Sequence, residues 1–457
     1  MSEQPEHPGQ QQPAAVQQLS RQPQQMAISA STQELAELID LHLGQLRPKE
    51  PAWRVSDSPI SGRGIFATRD IAKGEELFRE HTILVGPTAH RSSKLRTCTL
   101  CYRLVPGQTD AEALCPAGCG LPVCEECGKS PRHKTECDLF LKWRPKQTQR
   151  IDPRSLRILS VVRCFFLDEQ QRRLLYAMQA NADRYYMKEV ERAAACFEDF
   201  PREQQMLDFF YRTICAFNTN AFESRSCVDG HEVLIRALFP LAGLLNHQCT
   251  PNATHHFEDG ETIIVCATER IPCGAEITVS YAKMLWSTLA RKIFLGMTKG
   301  FMCQCPRCQD PTENGTYLSA LFCREQGCRG LVIPVQTRTL QPDWRCLTCE
   351  NVFPHAKMAR YQDFALNTIN NRINSCSVPD MIHFINDLCP RFCPPSNYVL
   401  IEAKLNVIWR MTRFDTDQYT PEEVAHKDRY REDILAIIHK LGAGECTLKK
   451  LITEEIQ

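Results

Sequence analysis

Apolar residues recur at helical spacing in Leu35, Leu38, Ile39, Leu43 and Leu46, with His42 on the same stripe, which predicts one amphipathic helix. Ser31 and Glu34 stand ahead of it in the pattern of a capping box, and Pro48 and Pro51 end it. Residues 1–28 have no such period and are rich in Gln and Pro, so they are expected to be disordered. From Trp53 the texture changes. Val55, Ile65, Phe66, Ile71, Leu77 and Phe78 sit among Gly62, Gly64 and Gly74, the pattern of short strands and tight turns. Helical periodicity returns over about 152–216, where Leu156, Leu159, Val162 and Phe166 share a face. Strand-and-turn texture runs again from Val233 to Tyr281, and the tail, 358–457, reads as helices that include Tyr398–Trp409 and Pro421–His439. Cysteines rather than aliphatic residues set the pattern over 98–137 and 303–349.

These shifts divide the chain. A tail over 1–30 and a helix with linker over 31–52 precede a strand-rich piece, 53–97. A cysteine module (98–137) and a helical insert (138–227) separate it from a second strand-rich piece, 228–282. Two cysteine-bearing segments follow, 283–310 and 311–357, and then the helical domain 358–457. The two strand-rich pieces read as halves of one β domain, so the expected class is α+β. The 457 residues suit about three domains at about 150 residues each.

Composition narrows the function. Lys plus Arg equals Asp plus Glu at 54 each, so no global charge draws the chain to nucleic acid or a membrane surface. Arg150, Arg154 and Arg157 form a local basic run, read as a solvated helix face, and direct nucleic-acid binding is not expected. The longest apolar run, Ala237–Leu245, is broken by Pro240 and Gly243 and falls short of the ~18 residues of a membrane span. Residues 1–25 hold no apolar stretch like a signal peptide, so the 25 cysteines are expected in a reducing compartment, cytoplasm or nucleus, where they point to metal or catalysis.

The cysteines fall into ligand pairs. Cys98-x2-Cys101, Cys115-x3-Cys119, Cys124-x2-Cys127 and His133-x3-Cys137 make the arithmetic of two tetrahedral zinc sites. Both sulfurs of a close pair reach one ion from a single turn. Zinc then supplies folding energy that so short a segment cannot draw from a core. Cys303-x-Cys305-x2-Cys308 is one ligand short, and Cys249 is a candidate for the fourth. Cys323-x4-Cys328 with Cys346-x2-Cys349 has zinc-ribbon-like spacing. About four zinc ions are therefore expected. Other cysteines, such as Cys164, Cys196 and Cys215, lack paired spacing and read as small buried hydrophobes.

Three further motifs line up. They are Ser61-Gly62-Arg63-Gly64-Ile65-Phe66-Ala67, Asn246-His247-Gln248-Cys249-Thr250-Pro251-Asn252, and Glu276-Ile277-Thr278-Val279-Ser280-Tyr281. Alone, the first would be a plain hairpin and Tyr281 a packed strand-end tyrosine. In this order, followed by Phe301 and the Cys-x-Cys-x2-Cys run, they resemble a SET domain. The first cysteine cluster resembles a MYND finger, and the whole is similar to the SET-and-MYND protein-lysine methyltransferases, most of all their arthropod-type members. The resemblance covers about 53–310.

It implies a SET-type β fold split by the finger and the helical insert, with S-adenosylmethionine and zinc as cofactors. The finger's interleaved pairing would group Cys98, Cys101, Cys124 and Cys127, and separately Cys115, Cys119, His133 and Cys137. The Gly62–Gly64 turn, with Arg63, would approach S-adenosylmethionine. Asn246, His247 and Asn220 would hydrogen-bond it, and Phe301 would stack on its adenine. Tyr281 would contact the cofactor too, and would line the channel in which the lysine amine attacks, orienting that amine. The post-SET zinc, sharing Cys249, would clamp Phe301 over the pocket. The substrate class is a protein lysine, with histones the first candidate, in a monomer whose finger docks proline-containing peptides.

Two positions depart from the family pattern. Gln248 stands where serine is usual, beside the cofactor contacts. Lys299 stands where many active relatives carry a channel tyrosine. If its cation points inward it would repel both the sulfonium and a protonated substrate lysine. The alternative function is then a catalytically weak SET scaffold that recruits partners through the finger as a transcriptional corepressor.

Overall fold

The computed structural model describes residues 24–25, 30–59, 61–87, 97–105, 114–146, 159–182, 184–228, 231–336, 338–391, 393–413 and 418–454. Most of the Gln/Pro-rich tail, Leu156, and the basic run of Arg150, Arg154 and Arg157 lie outside these residues. In the helix Thr32–Leu43, the Ser31 hydroxyl accepts the Glu34 N–H at 3.2 Å and the Glu34 carboxylate accepts the Ser31 N–H at 2.8 Å. The helix buries Leu35, Leu38, Ile39 and Leu43. Each buried aliphatic side chain contributes about 1.5–3 kcal/mol, more than the few tenths to about one expected from the cap, so the apolar stripe holds this helix in place.

The strands of the two separated pieces pair with each other. One sheet runs Trp53–Ser58, Gly62–Ala67, Glu276–Val279 and Asn246–His247, with Glu276 opposite Phe66 and the last pair parallel. A second joins Ala253–Glu258, Thr262–Ala267 and Glu76–His81; a third joins Leu84–Pro87, His231–Leu238 and Phe222–Val228. Ile65, Ile71, Val265, Ile271 and Ile277, all at 0% exposure, fill the core between them. Strand begins earlier in the second piece than the sequence reading had it. The helix Gln204–Asn220 ends two residues before Phe222, and Phe222–Val228 pairs along its length with His231–Leu238.

The helices Glu169–Ala177, Arg184–Ala195 and Gln204–Asn220 form the insert, and the finger packs on it. Trp143 from the finger helix Pro131–Trp143 meets Phe165, Phe197 and Phe200 at ring centroids of 5.3, 5.3 and 5.0 Å. Buried Arg163 ties the parts together, donating to Glu136 at 2.7 Å, to the Val85 carbonyl at 2.6 Å and to the Thr99 carbonyl at 2.9 Å. Beyond the SET-like core, four short strands over Leu321–Phe353 make a ribbon. The helices His355–Ser375, Tyr398–Arg413 and Pro421–Leu441 share one large apolar core with it. Among the described residues no helix is long and apolar enough to cross a membrane. The architecture is thus the expected α+β one, small sheets with helical additions.

Candidate functional site

Four ligand sets converge in space: Cys98, Cys101, Cys124 and Cys127; Cys115, Cys119, His133 and Cys137; Cys249, Cys303, Cys305 and Cys308; and Cys323, Cys328, Cys346 and Cys349. In each, the ligand atoms lie within 4.8 Å of one another. Zn–S bonds of about 2.3 Å in a tetrahedron give sulfur–sulfur edges of about 3.8 Å. The observed edges fit: Cys101–Cys124 3.7 Å, Cys115–Cys137 3.9 Å, Cys249–Cys303 3.8 Å, Cys323–Cys349 and Cys328–Cys346 3.7 Å. These separations are far too long for the ~2.05 Å of a disulfide. Burial, with the neighbouring Cys98 thiol, pushes the Cys101 thiol up to about 11, a penalty on the thiolate that a dication would reverse. Each set could hold a zinc ion.

The sequence reading missed what stands behind the third set. Arg291, at 0% exposure, points Nε at Cys249 Sγ (3.2 Å) and Nη2 at Cys308 Sγ (3.6 Å). Its Nη1 donates to Glu313 at 2.8 Å, and Arg307 reaches the same carboxylate at 3.3 Å and the Cys249 carbonyl at 3.1 Å. Burial would raise the Glu313 carboxyl, but Arg291 and Arg307 hold it below the usual carboxylate range. Four thiolates around one dication carry a net charge of about −2, so guanidiniums donating to the sulfurs offset that charge in a buried place. No local spacing announces this: Arg291 lies on the helix Thr288–Lys299 and Glu313 on a turn with φ 53°.

Next to this tetrad opens a cleft of about 2310 Å³. The turn residue Gly62 takes φ +78°, in the left-handed region. Gly64 matters for space instead: a Cβ there would stand 2.4 Å from Glu276 Oε1 and 2.8 Å from Asn246 Nδ2. Those two groups need that room, because Asn246 Nδ2 donates to Glu276 at 2.6 Å and to the Arg63 carbonyl at 3.0 Å. Arg63 sends Nη2 to the Ala177 carbonyl at 2.7 Å, and its Nη1 is buried without a hydrogen-bond partner. Asn220 donates both amide hydrogens inward, to the Gln179 and Ala216 carbonyls at 2.7 Å each, leaving its side-chain oxygen as acceptor. Gln248 accepts from the Thr278 hydroxyl at 3.3 Å.

His247 bridges the cleft and the metal set. Its Nδ1 accepts the Tyr281 N–H at 2.9 Å, so the hydrogen lies on Nε2, which faces Cys249 Sγ at 3.2 Å. Burial pushes this imidazole down to about 4, which keeps it neutral. Both ring nitrogens are therefore engaged within the protein, and a ligand meets His247 through its backbone or ring face. Tyr281 donates its hydroxyl to the Leu245 carbonyl, and burial together with Glu276 pushes that phenol well up. Phe301 is 36% exposed in the cleft, its ring 6.0 Å from His247 and 6.4 Å from Tyr281.

Lys299 points inward. Its ammonium lies 5.3 Å from the Tyr281 ring centroid and donates to the Thr219 carbonyl at 2.8 Å. Its position was legible as a departure in the sequence. Its direction follows from the orientation of the helix Thr288–Lys299, which only packing sets.

The SET domain family description matches residues 62–282. The chain is 84% identical over 437 residues to the SET domain-containing protein SmydA-8, isoform B, of Drosophila melanogaster, covering 96% of this chain and 98% of that one. It is 63% identical over 430 residues to isoform A of the same fly protein, covering 93% and 92%. Over 279 residues it is 26% identical to the histone-lysine N-methyltransferase SMYD3 of Mus musculus, covering 56% and 61%. Among solved structures, the SET domain of LSMT bound to lysine and AdoHcy aligns with 93% of this chain and 92% of that one, at 11% identity and a TM-score of 0.31.

Proposed function

The chain belongs to the SET-domain family, and from that premise we propose that it is a protein-lysine N-methyltransferase that uses S-adenosylmethionine. The observation that carries the reading is one cleft in which Arg63, Asn246, Tyr281 and Phe301 converge beside a metal tetrad. S-Adenosylmethionine, when bound, supplies an electrophilic methyl group on a sulfonium. The orphaned Nη1 of Arg63 suits a carboxylate such as this ligand carries, and exposed Phe301 offers a face to its adenine. Asn220 contributes its side-chain oxygen, while Asn246 and His247 contribute backbone, their side chains being committed to Glu276, Tyr281 and Cys249. Tyr281, held by the Leu245 carbonyl, walls the place where an acceptor amine must align with the methyl group, and orienting that amine is its contribution. No side chain need act as nucleophile, since the substrate lysine brings it.

The tetrad of Cys249, Cys303, Cys305 and Cys308 then ties Phe301 to the cofactor motif through zinc. The cross-braced finger over 98–137 is read as a MYND docking module for proline-containing peptides, and histones are the first substrates to test. We place the chain, as a monomer, in the cytoplasm or nucleus, where thiolates stay reduced for zinc. A second reading is favoured by one observation, the inward ammonium of Lys299. In it the fold is a catalytically weak scaffold that serves transcriptional repression through the finger.

Calorimetry with S-adenosylmethionine is the first test. Saturable binding below about 1 mM is expected, and none at that concentration removes the enzyme reading. A labelled-methyl assay on histones and cell extract follows. Tyr281→Phe is expected to slow transfer by about tenfold or more while cofactor affinity holds. Binding without transfer to any protein would favour the scaffold.

A further inference from the structure

Lys299 ends the helix Thr288–Lys299, and Gly300 at φ 76° turns the chain so that Phe301 faces the cleft. A lysine in that place would ordinarily stay in solvent beside its own helix terminus. This one reaches across to the last turn of another helix, Gln204–Asn220, and donates to the Thr219 carbonyl at 2.8 Å. It also faces the ring of Tyr281, 5.3 Å from the ring centroid. Among the described residues no carboxylate stands against its ammonium; the charged group that acts on it is Arg236. One carbonyl acceptor and one aromatic wall are what an amine awaiting alkylation needs. They fix its direction without a carboxylate that would hold the proton on it. Thr219 also adjoins Asn220, and the Tyr281 ring is the wall assigned above to the acceptor amine.

From this juxtaposition we propose that Lys299 is itself an acceptor, methylated in cis by its own active site. The inference rests on the methyltransferase reading and names one substrate lysine for it. The ammonium of Lys299 first loses a proton to solvent. The freed lone pair on Nζ forms the new N–C bond with the methyl group of S-adenosylmethionine. The methyl–sulfur bond breaks, and its electron pair stays on sulfur, so the sulfonium becomes the thioether of S-adenosylhomocysteine. Burial, with Arg236 nearby, pushes Lys299 down to about 8, so the neutral amine is accessible near physiological pH. Tethering on a packed helix replaces the encounter with a separate substrate and gives the amine a high effective concentration. The methylated ammonium keeps its charge and still suits the Tyr281 face.

The test incubates the purified full chain with S-adenosylmethionine carrying a deuterated methyl group, and peptide mass spectrometry reads Lys299. The expected result is labelled methyl on Lys299, with a first-order rate constant that does not change over an about tenfold range of protein concentration. Lys299→Arg should lose the label at that position while still binding the cofactor by calorimetry, and Tyr281→Phe should slow labelling by about tenfold or more. Cofactor binding with Lys299 unlabelled would overturn this inference and leave the methyltransferase reading standing. So would labelling whose apparent first-order rate constant rises in proportion to protein concentration, the mark of transfer between molecules. If Lys299→Met binds the cofactor and methylates other proteins faster while the native Lys299 stays unlabelled, the residue is a plug and not an acceptor. Absence of cofactor binding would overturn both readings together.

Discussion

At the residue scale, the cleft depends on atoms that a single methyl group would displace. Gly64 is the sharpest case, because Glu276 Oε1 and Asn246 Nδ2 occupy the space its Cβ would take. Gly64→Ala must push that pair apart. Overpacking of this kind costs about 1–3 kcal/mol, and here it also breaks the 2.6 Å contact that holds Asn246. We expect a lower melting temperature and a loss of S-adenosylmethionine binding of at least about tenfold, read by thermal unfolding and calorimetry. An unchanged affinity would show that the Asn246–Glu276 pair does not shape the cofactor site. Gly64, Asn246 and Tyr281 could be singled out in the chain because each sits in a short motif. The direction of Lys299 and the engagement of the His247 Nδ1 by the Tyr281 N–H could not, since they depend on groups 80 and 34 positions away in the chain.

At the element scale, the helix Thr288–Lys299 connects the cofactor motif, the third metal tetrad and the ribbon that follows. Its buried Arg291 shares Glu313 with Arg307. Removing one member of a buried charge set usually costs about 3–5 kcal/mol. In Glu313→Gln the thiolates of the tetrad still face Arg291, so the loss belongs near the lower end of that range. Thermal unfolding should show a clear drop, and an unaltered melting temperature would argue that the triad adds nothing. Cys249→Ser tests the same element from the metal side. It should lower bound zinc by about one ion per chain and weaken cofactor binding, because Cys249 joins the Asn246–His247 strand to the segment carrying Phe301. Loss of zinc with undiminished cofactor affinity would separate the tetrad from the cleft. The capping boxes at Ser31 and Thr420 are local signals and were readable, or open to reading, in the chain itself. The Arg291–Glu313–Arg307 set has no local signal at all.

At the scale of the whole molecule, four tetrads predict about four zinc ions per chain by atomic absorption. Chelation should act unevenly. The finger and the ribbon have little apolar core apart from their neighbours and should loosen with metal loss. The sheets around Ile65, Ile71 and Ile277 hold a core of their own, so far-UV circular dichroism should keep much of its signal. A complete collapse on chelation would mean that the metal sites hold up that core as well. The chain by itself determined the helices with apolar stripes, the two strand-rich halves and the cysteine pairs, because each is written in spacing within a few residues. It also placed the glycine turn, the Asn246–His247 pair and Tyr281 in motif order. Tertiary structure alone decided how the split halves pair strand by strand, where the counter-charges of the third tetrad come from, and that Lys299 faces Tyr281. These are contacts between segments far apart in the chain. They follow from the angle and depth at which whole elements pack, which no short stretch of residues encodes alone.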